Sequence, residues 1–172
     1  MNSNLTDTLC TRCGLCCDGS LFADVELASR AETSALEVMG LEVEDAETND
    51  RGLLLQPCRA LKARRCSIYP YRPNCCRTFE CRLLQEVKLG VVGVDRATAK
   101  IAAALQQINR VKKLVVQLGN RDESLPLKER CEEALALFNP GPENPELDRK
   151  RTGLQAAMNS VERLIQETFL GT

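Results

Sequence analysis

Residues 10–17 read CTRCGLCC, placing Cys10, Cys13, Cys16 and Cys17 within eight positions. A segment this dense in cysteine and glycine reads as an irregular loop rather than a helix or strand. Two-residue spacers let successive sulfurs converge on one centre, at ~2.3 Å for zinc. Cys10, Cys13 and Cys16 also match the C-x2-C-x2-C run that holds a [4Fe–4S] cluster, with the fourth ligand coming from elsewhere in the chain. Gly14 relieves crowding where backbone N–H groups turn toward the sulfurs. Cys17 directly follows Cys16, and adjacent side chains diverge, so one of the pair is expected to serve a different centre or to stand behind the ligands.

Working outward, the remote thiols are Cys58-x7-Cys66 and Cys76-x4-Cys81. An ion joining them to the first group would close loops of about 40 to 70 residues and so contribute to folding directly. The 172-residue chain has ten cysteines and no histidine. Mixed Cys/His zinc sites and imidazole catalysis are thereby excluded, leaving thiolate ligation, which suits both Zn(II) and iron–sulfur centres. Residues 1–8 are polar and lack a signal-peptide pattern, and no apolar window approaches the ~18 residues of a membrane span. A cytoplasmic, reducing location follows as the expectation, in which clustered cysteines read as ligands rather than disulfides.

Charge is balanced overall, with a formal net charge of −1, but it is segregated. Between Asp18 and Asp50 ten acids face Arg30 alone, while between Cys58 and Arg82 seven bases face Glu80 alone. The two segments are expected to attract each other, and the basic one supplies cations near the thiolates. Arg72 and Arg77, lying between candidate ligands, are expected to donate hydrogen bonds to thiolates. The run from Arg59 to Arg65 reads as a solvated turn; without interleaved aromatics it does not point to a nucleic-acid partner. Tyr69 and Tyr71 are expected to pack beside the site, and residues 42–50 read as an exposed acidic loop.

These motifs carry a resemblance. Cys-x2-Cys-x2-Cys-Cys, then Cys58-x2-Leu61, Cys66-Ser-Ile-Tyr69, Arg72-Pro73 and Cys76-Arg77-x-Phe79-x-Cys81 resemble the bacterial CxxCxxCC cysteine-cluster family of zinc- or iron-chelating domains. The resemblance spans roughly residues 8–85. It implies eight metal ligands: Cys10, Cys13, Cys16, Cys17, Cys58, Cys66, Cys76 and Cys81. Cys75 and Cys131 fall outside the pattern; the first reads as a spare thiol and the second as a core residue on an apolar helical stripe. A related domain occurs in flagellin lysine methylases, yet nothing in the remainder of this chain resembles the rest of those proteins.

Local patterns predict a mainly α protein in two parts: an irregular metal-binding module with short strands over residues 1–90, and a helical extension over 91–172. In the first part, Ser29-x-x-Glu32 is a capping box opening a helix that Gly40 closes. Leu53–Leu55 and Cys66–Tyr69 read as strands, with 62–65 as the turn between them. One helix is predicted from Cys76 to Leu89. In the second part, Asp95 is expected to cap a helix to Leu118, with Ile101, Leu105, Ile108, Val111, Val115 and Leu118 facing inward. A second helix is predicted from Ser124 to Phe138, with Leu127, Cys131, Leu135 and Phe138 inward. After the Asn139-Pro-Gly-Pro break, Asn144 and Pro145 open a third, reaching Leu170; its stripe is Leu147, Leu154, Met158, Val161, Ile165 and Thr168.

Functionally, the sequence implies a binding or structural protein that holds zinc or an iron–sulfur centre. The first three cysteines with Gly14 resemble a cubane loop more than zinc knuckles. An iron–sulfur redox or methyl-transfer enzyme and a metal carrier are the alternatives. No phosphate loop, dinucleotide fingerprint or nucleophile–base pair is present, so no catalytic residue is assigned. The expected partners are the metal ion and a protein bound through the helical half.

Overall fold

The computed structural model describes residues 5–46, 51–136 and 145–171. Within them lie seven α-helices, five short strands, one 3-10 turn and one π-helical turn. The chain divides into two compact units, Met1–Glu80 with Ser124–Pro126, and Cys81–Glu123 with Leu127–Thr172.

The first unit opens with helix α1, Leu5–Cys13, where an irregular loop was expected. Cys10 and Cys13, three residues apart, fit one face of its last turn, so the density of cysteine does not oppose helix here. Gly14 ends α1 at φ +70°, its N–H bonded to the Cys10 carbonyl at 3.0 Å. Helix α2, Arg30–Val38, begins as predicted: Ser29 accepts from the Glu32 N–H, and the Glu32 carboxylate reaches back to the Ala28 N–H at 2.8 Å. Met39 and Gly40 donate to the α2 carbonyls Ala35 and Glu37.

Strand β3, Gly52–Leu55, is the centre of an antiparallel sheet between β1, Asp24–Glu26, and β2, Val43–Asp45. Leu54 pairs with Val25 on one side and Val43 on the other. Both outer strands were missed because three acidic-flanked residues apiece give no usable alternation; Val43–Asp45 lies within the stretch read as a loop, whose residues 47–50 fall outside the described ones. Alternation is clear on β3, where Gly52 and Leu54 are buried. A Cβ at position 52 would lie 2.6 Å from Thr33 Oγ1 and from Val43 Cγ1, so glycine lets α2 approach the sheet closely. The resulting cluster contains Leu27, Leu36, Leu41, Leu54 and Ala60, with Cys58, Cys66, Ile68 and Cys75 packed against it.

The predicted pairing of residues 53–55 with 66–69 does not form. Instead β4, Leu61–Lys62, pairs with β5, Arg65–Cys66, in a tight hairpin. Its two turn residues, Ala63 and Arg64, have φ of +45° and +67°, the pattern of a two-residue hairpin turn. Tyr69–Tyr71 is a 3-10 turn rather than strand, as Pro70 requires. The helix predicted from Cys76 to Leu89 is two helices, α3 at Asn74–Thr78 and α4 at Arg82–Lys88. Phe79 and Cys81 are extended between them, with ψ of 124° and 156°. Phe79 stacks edge-on against Phe22 at 5.3 Å, a contact that rewards leaving the helix.

The second unit is helical. Helix α5, Val94–Gln117, is capped by Gly93, and Asp95 lies in its first turn, where it favours the helix dipole without capping. Ile101, Ile108, Val111, Val115 and Leu118 are buried as predicted; Leu105 is only half-buried, and Ala97 and Ala104 complete the buried face. Helix α6, Leu127–Ala136, starts three residues later than predicted, because Pro126 disfavours helical geometry at Leu125. Leu127 and Cys131 are buried, Leu135 is half-buried, and Phe138 and the Asn144 cap lie outside the described residues. Helix α7, Pro145–Ile165, packs on α5 through Leu154, Met158, Val161 and Ile165, and continues into a π-helical turn at Gln166–Leu170. There Phe169 is buried and Thr168 only half-buried. No helix among the described residues is long and apolar enough to cross a membrane.

Candidate metal centre

Four pieces of backbone position the thiols of the first unit. Helix α1 brings Cys10 and Cys13, and the turn after Gly14 brings Cys16 and Cys17. The Cys17 carbonyl then accepts the Cys58 N–H at 2.8 Å, tying the N-terminal cysteines to the segment that follows β3. Backbone N–H groups of Ala60 and Leu61 reach the Cys58 sulfur, and the Leu61 N–H also closes a turn on the Cys58 carbonyl at 2.9 Å. That is the means by which a Cys-x2-Leu turn presents a thiolate with its charge partly neutralised.

The β4–β5 hairpin places Cys66 opposite Leu61 and is anchored to α1 at its tip. Arg64 donates through Nη1 to the Arg12 carbonyl at 3.1 Å, at the end of the helix where a cation is favoured. A Cβ on Gly14 would meet the Arg64 Cβ at 3.3 Å.

Helix α3 carries Cys75 and Cys76 and is held from both ends. Its first N–H, of Asn74, donates at 2.7 Å to the same Glu32 carboxylate that closes the α2 capping box. Arg77 donates to the Arg72 carbonyl at 2.6 Å and to the Pro70 carbonyl at 3.3 Å. Arg72 in turn donates to the Tyr69 carbonyl at 3.1 Å, with its guanidinium carbon 3.5 Å from the Tyr69 ring centre. These arginine hydrogen bonds go to carbonyl oxygens, so both side chains brace the loop that presents Cys75 and Cys76. Tyr71 points to solvent. Arg59 forms an ion pair with Glu42, joining the basic segment to the acidic one; it is exposed and contributes little stability.

None of the ten cysteines is in a disulfide; nine are half-buried and Cys131 is fully buried. Cys131 lies in α6 of the second unit, as its apolar stripe predicted, and Cys81 is that unit's first residue. Burial pushes the Cys17 thiol up to about 12, and the charges of Cys58, Cys66, Asp18 and Cys10 push the same way. Burial also raises Cys58, opposed by its two backbone N–H groups, with Cys66 raising it further. Cys76 is raised by its hydrogen bond with Cys75, then by burial and by the charges of Cys75, Cys17 and Cys58; the bond lowers Cys75 correspondingly. Cys17 thus feels the charges of Cys10, Cys58 and Cys66, and Cys76 those of Cys75, Cys17 and Cys58. Among the described residues no three Cys, Asp or Glu side chains meet as a ready-made metal shell.

The donor set fits a soft or borderline cation. Thiols that oppose one another's ionisation gain most from a shared positive ion, which replaces mutual repulsion with attraction. The signals missed in the sequence are Glu32 and Arg64, which act through backbone groups rather than as ligands. The Glu32 capping position was legible, but its second bond to α3 depends on tertiary packing.

A search of curated proteins and of solved structures finds no match. A family model named for the CxxCxxCC signature, and described as "Putative zinc- or iron-chelating domain", matches residues 9–107. The match runs beyond the first unit, through α4 and into α5, further than the cysteine motifs alone reach. With more than half of its length so matched, and with that signature carried on α1 and the turn that follows it, the chain belongs to the CxxCxxCC family.

Proposed function

We propose that this chain is a cytoplasmic metal-binding protein in which a thiolate-held ion staples the first unit together, a structural or binding role rather than a catalytic one. The observation that carries this reading is the crowding of eight cysteines from α1 to α3 into the first unit with none in a disulfide, Cys17, Cys58 and Cys76 being raised in part by the charges of neighbouring cysteines. The ligands are proposed to come from Cys10, Cys13, Cys16, Cys17, Cys58, Cys66 and Cys76, with Cys81 following directly on the first unit. The described apolar cluster of that unit holds only four leucines and one alanine. Small units with thin cores characteristically add a metal or disulfides.

Zinc is the favoured ion. Cys10 and Cys13 stand in the last turn of a helix, and Cys58 in a compact Cys-x2-Leu turn, whereas the likeness to a cubane loop was drawn for a segment read as irregular. A bound ion would supply positive charge that holds the sulfurs deprotonated. The chain's own part is to orient them and to exclude water. An iron–sulfur centre is the second reading, favoured by the C-x2-C-x2-C spacing. The helical unit is the part proposed to meet a protein partner.

Elemental analysis with an absorption spectrum on anaerobically purified protein tests the reading. Zinc with no band near 400 nm is expected, and Cys13→Ser is expected to lose most of the metal. Protein that purifies and folds without metal, or full metal in Cys13→Ser, would overturn it.

A further inference from the structure

The family signature has eight cysteines and leaves Cys75 out, but the fold does not. Cys75 packs against the apolar cluster of the first unit, as Cys58 and Cys66 do. Its Sγ lies 4.0 Å from the Sγ of Cys76, its neighbour on α3. Two thiolates bound to one tetrahedral ion at ~2.3 Å are ~3.8 Å apart, from the geometry of the tetrahedron. Neighbouring residues on a helix ordinarily point about 100° apart. Here the side chains have nonetheless converged to the edge length of a single-ion thiolate site. As thiols the two share an S–H···S hydrogen bond at this distance; as thiolates they would fit one ion, whereas a [4Fe–4S] cubane takes one protein thiolate per iron.

The loop around α3 is built to hold this edge in place. Glu32 fixes the helix start through the Asn74 N–H, Arg77 fixes its far side through the Pro70 and Arg72 carbonyls, and Phe79 is pinned on Phe22 where the chain leaves. With Cys75 counted, the first unit contains eight thiols: Cys10, Cys13, Cys16, Cys17, Cys58, Cys66, Cys75 and Cys76. That is as many thiols as two four-thiolate shells would take.

We propose that Cys75 is a metal ligand that shares one ion with Cys76. This rests on the thiolate-metal reading above and adds to it a ligand outside the signature. Its test compares Cys75→Ser with wild type and with Cys13→Ser after loading with cobalt(II), which reports thiolate bonds by sulfur-to-metal charge-transfer absorption. Cys75→Ser is expected to lose about a quarter of that intensity per four-thiolate site. Its affinity for zinc is expected to fall by more than the roughly 10- to 100-fold that loss of a supporting residue can cost. Should Cys75→Ser misfold, alkylation of the wild-type protein mapped by mass spectrometry decides instead: Cys75 is shielded with zinc bound and labelled once a chelator removes it. Unchanged cobalt absorption and affinity in Cys75→Ser, or equal labelling of Cys75 with and without zinc, would overturn the assignment. Loss of metal in Cys13→Ser alone would leave the metal-binding reading standing, while a wild-type protein that binds neither ion would remove both.

Discussion

At the scale of single residues, Gly14 and Cys131 show how differently two unobtrusive positions constrain the molecule. Gly14 has φ +70° and faces the Arg64 side chain, whose guanidinium bonds the end of α1. Gly14→Ala combines a left-handed backbone with a tight contact and is expected to cost about 1–2 kcal/mol, measured by denaturant unfolding of the metal-loaded protein. Cys131 is sealed in the second unit, and burial pushes its thiol up to about 12. Its neutral form therefore stabilises that unit fully below its ordinary value of 9.0, and this contribution is lost as pH rises toward about 12. Cys131→Ala is expected to leave metal content unchanged and to flatten the decline in stability above pH 9 relative to wild type. A steeper decline, or lost metal, would place Cys131 elsewhere. Both residues were readable in the sequence for local reasons, one as a glycine among cysteines and the other as a member of a helical stripe. The bonds from Arg64 to Arg12 and from Asn74 to Glu32 were not, because those partners lie 52 and 42 residues apart along the chain.

At the scale of elements, long periodic segments were legible and short ones were not. Helices α5 and α7 carry enough turns for the 3.6-residue period to rise above noise, and Ser29 with Glu32 marks the start of α2. Strands of two or three residues, such as β1, β2 and β4, exist only because β3 and β5 lie beside them. The break between α3 and α4 is tertiary too, since Phe79 leaves helical geometry to meet Phe22. Helix α6 holds a residue that sequence reasoning passed over: Arg130 is buried, and its Nε and Nη2 find no hydrogen-bond partner among the described residues. A buried guanidinium with unsatisfied donors weakens a helical core. Arg130→Met, of similar length and apolar, is expected to stabilise the protein by about 1–3 kcal/mol, read as a higher midpoint of denaturant unfolding. A lower midpoint would mean that the arginine is satisfied in solution.

At the scale of the whole molecule, the two units differ in what holds them. The second has helices α4 to α7, whose apolar faces pack on one another without a cysteine cluster. The first has short strands, short helices and a small apolar cluster, and eight cysteines crowd into it. The signature made the family of the chain legible. The route by which its backbone gathers the thiols was hidden, since it runs through carbonyls, N–H groups and the hairpin tip. Sulfur is proposed to be the only kind of atom bound to the metal. X-ray absorption at the metal edge of the purified, loaded protein measures this directly. It should return a first coordination sphere of sulfur alone at ~2.3 Å; a sphere dominated by oxygen or nitrogen would contradict it.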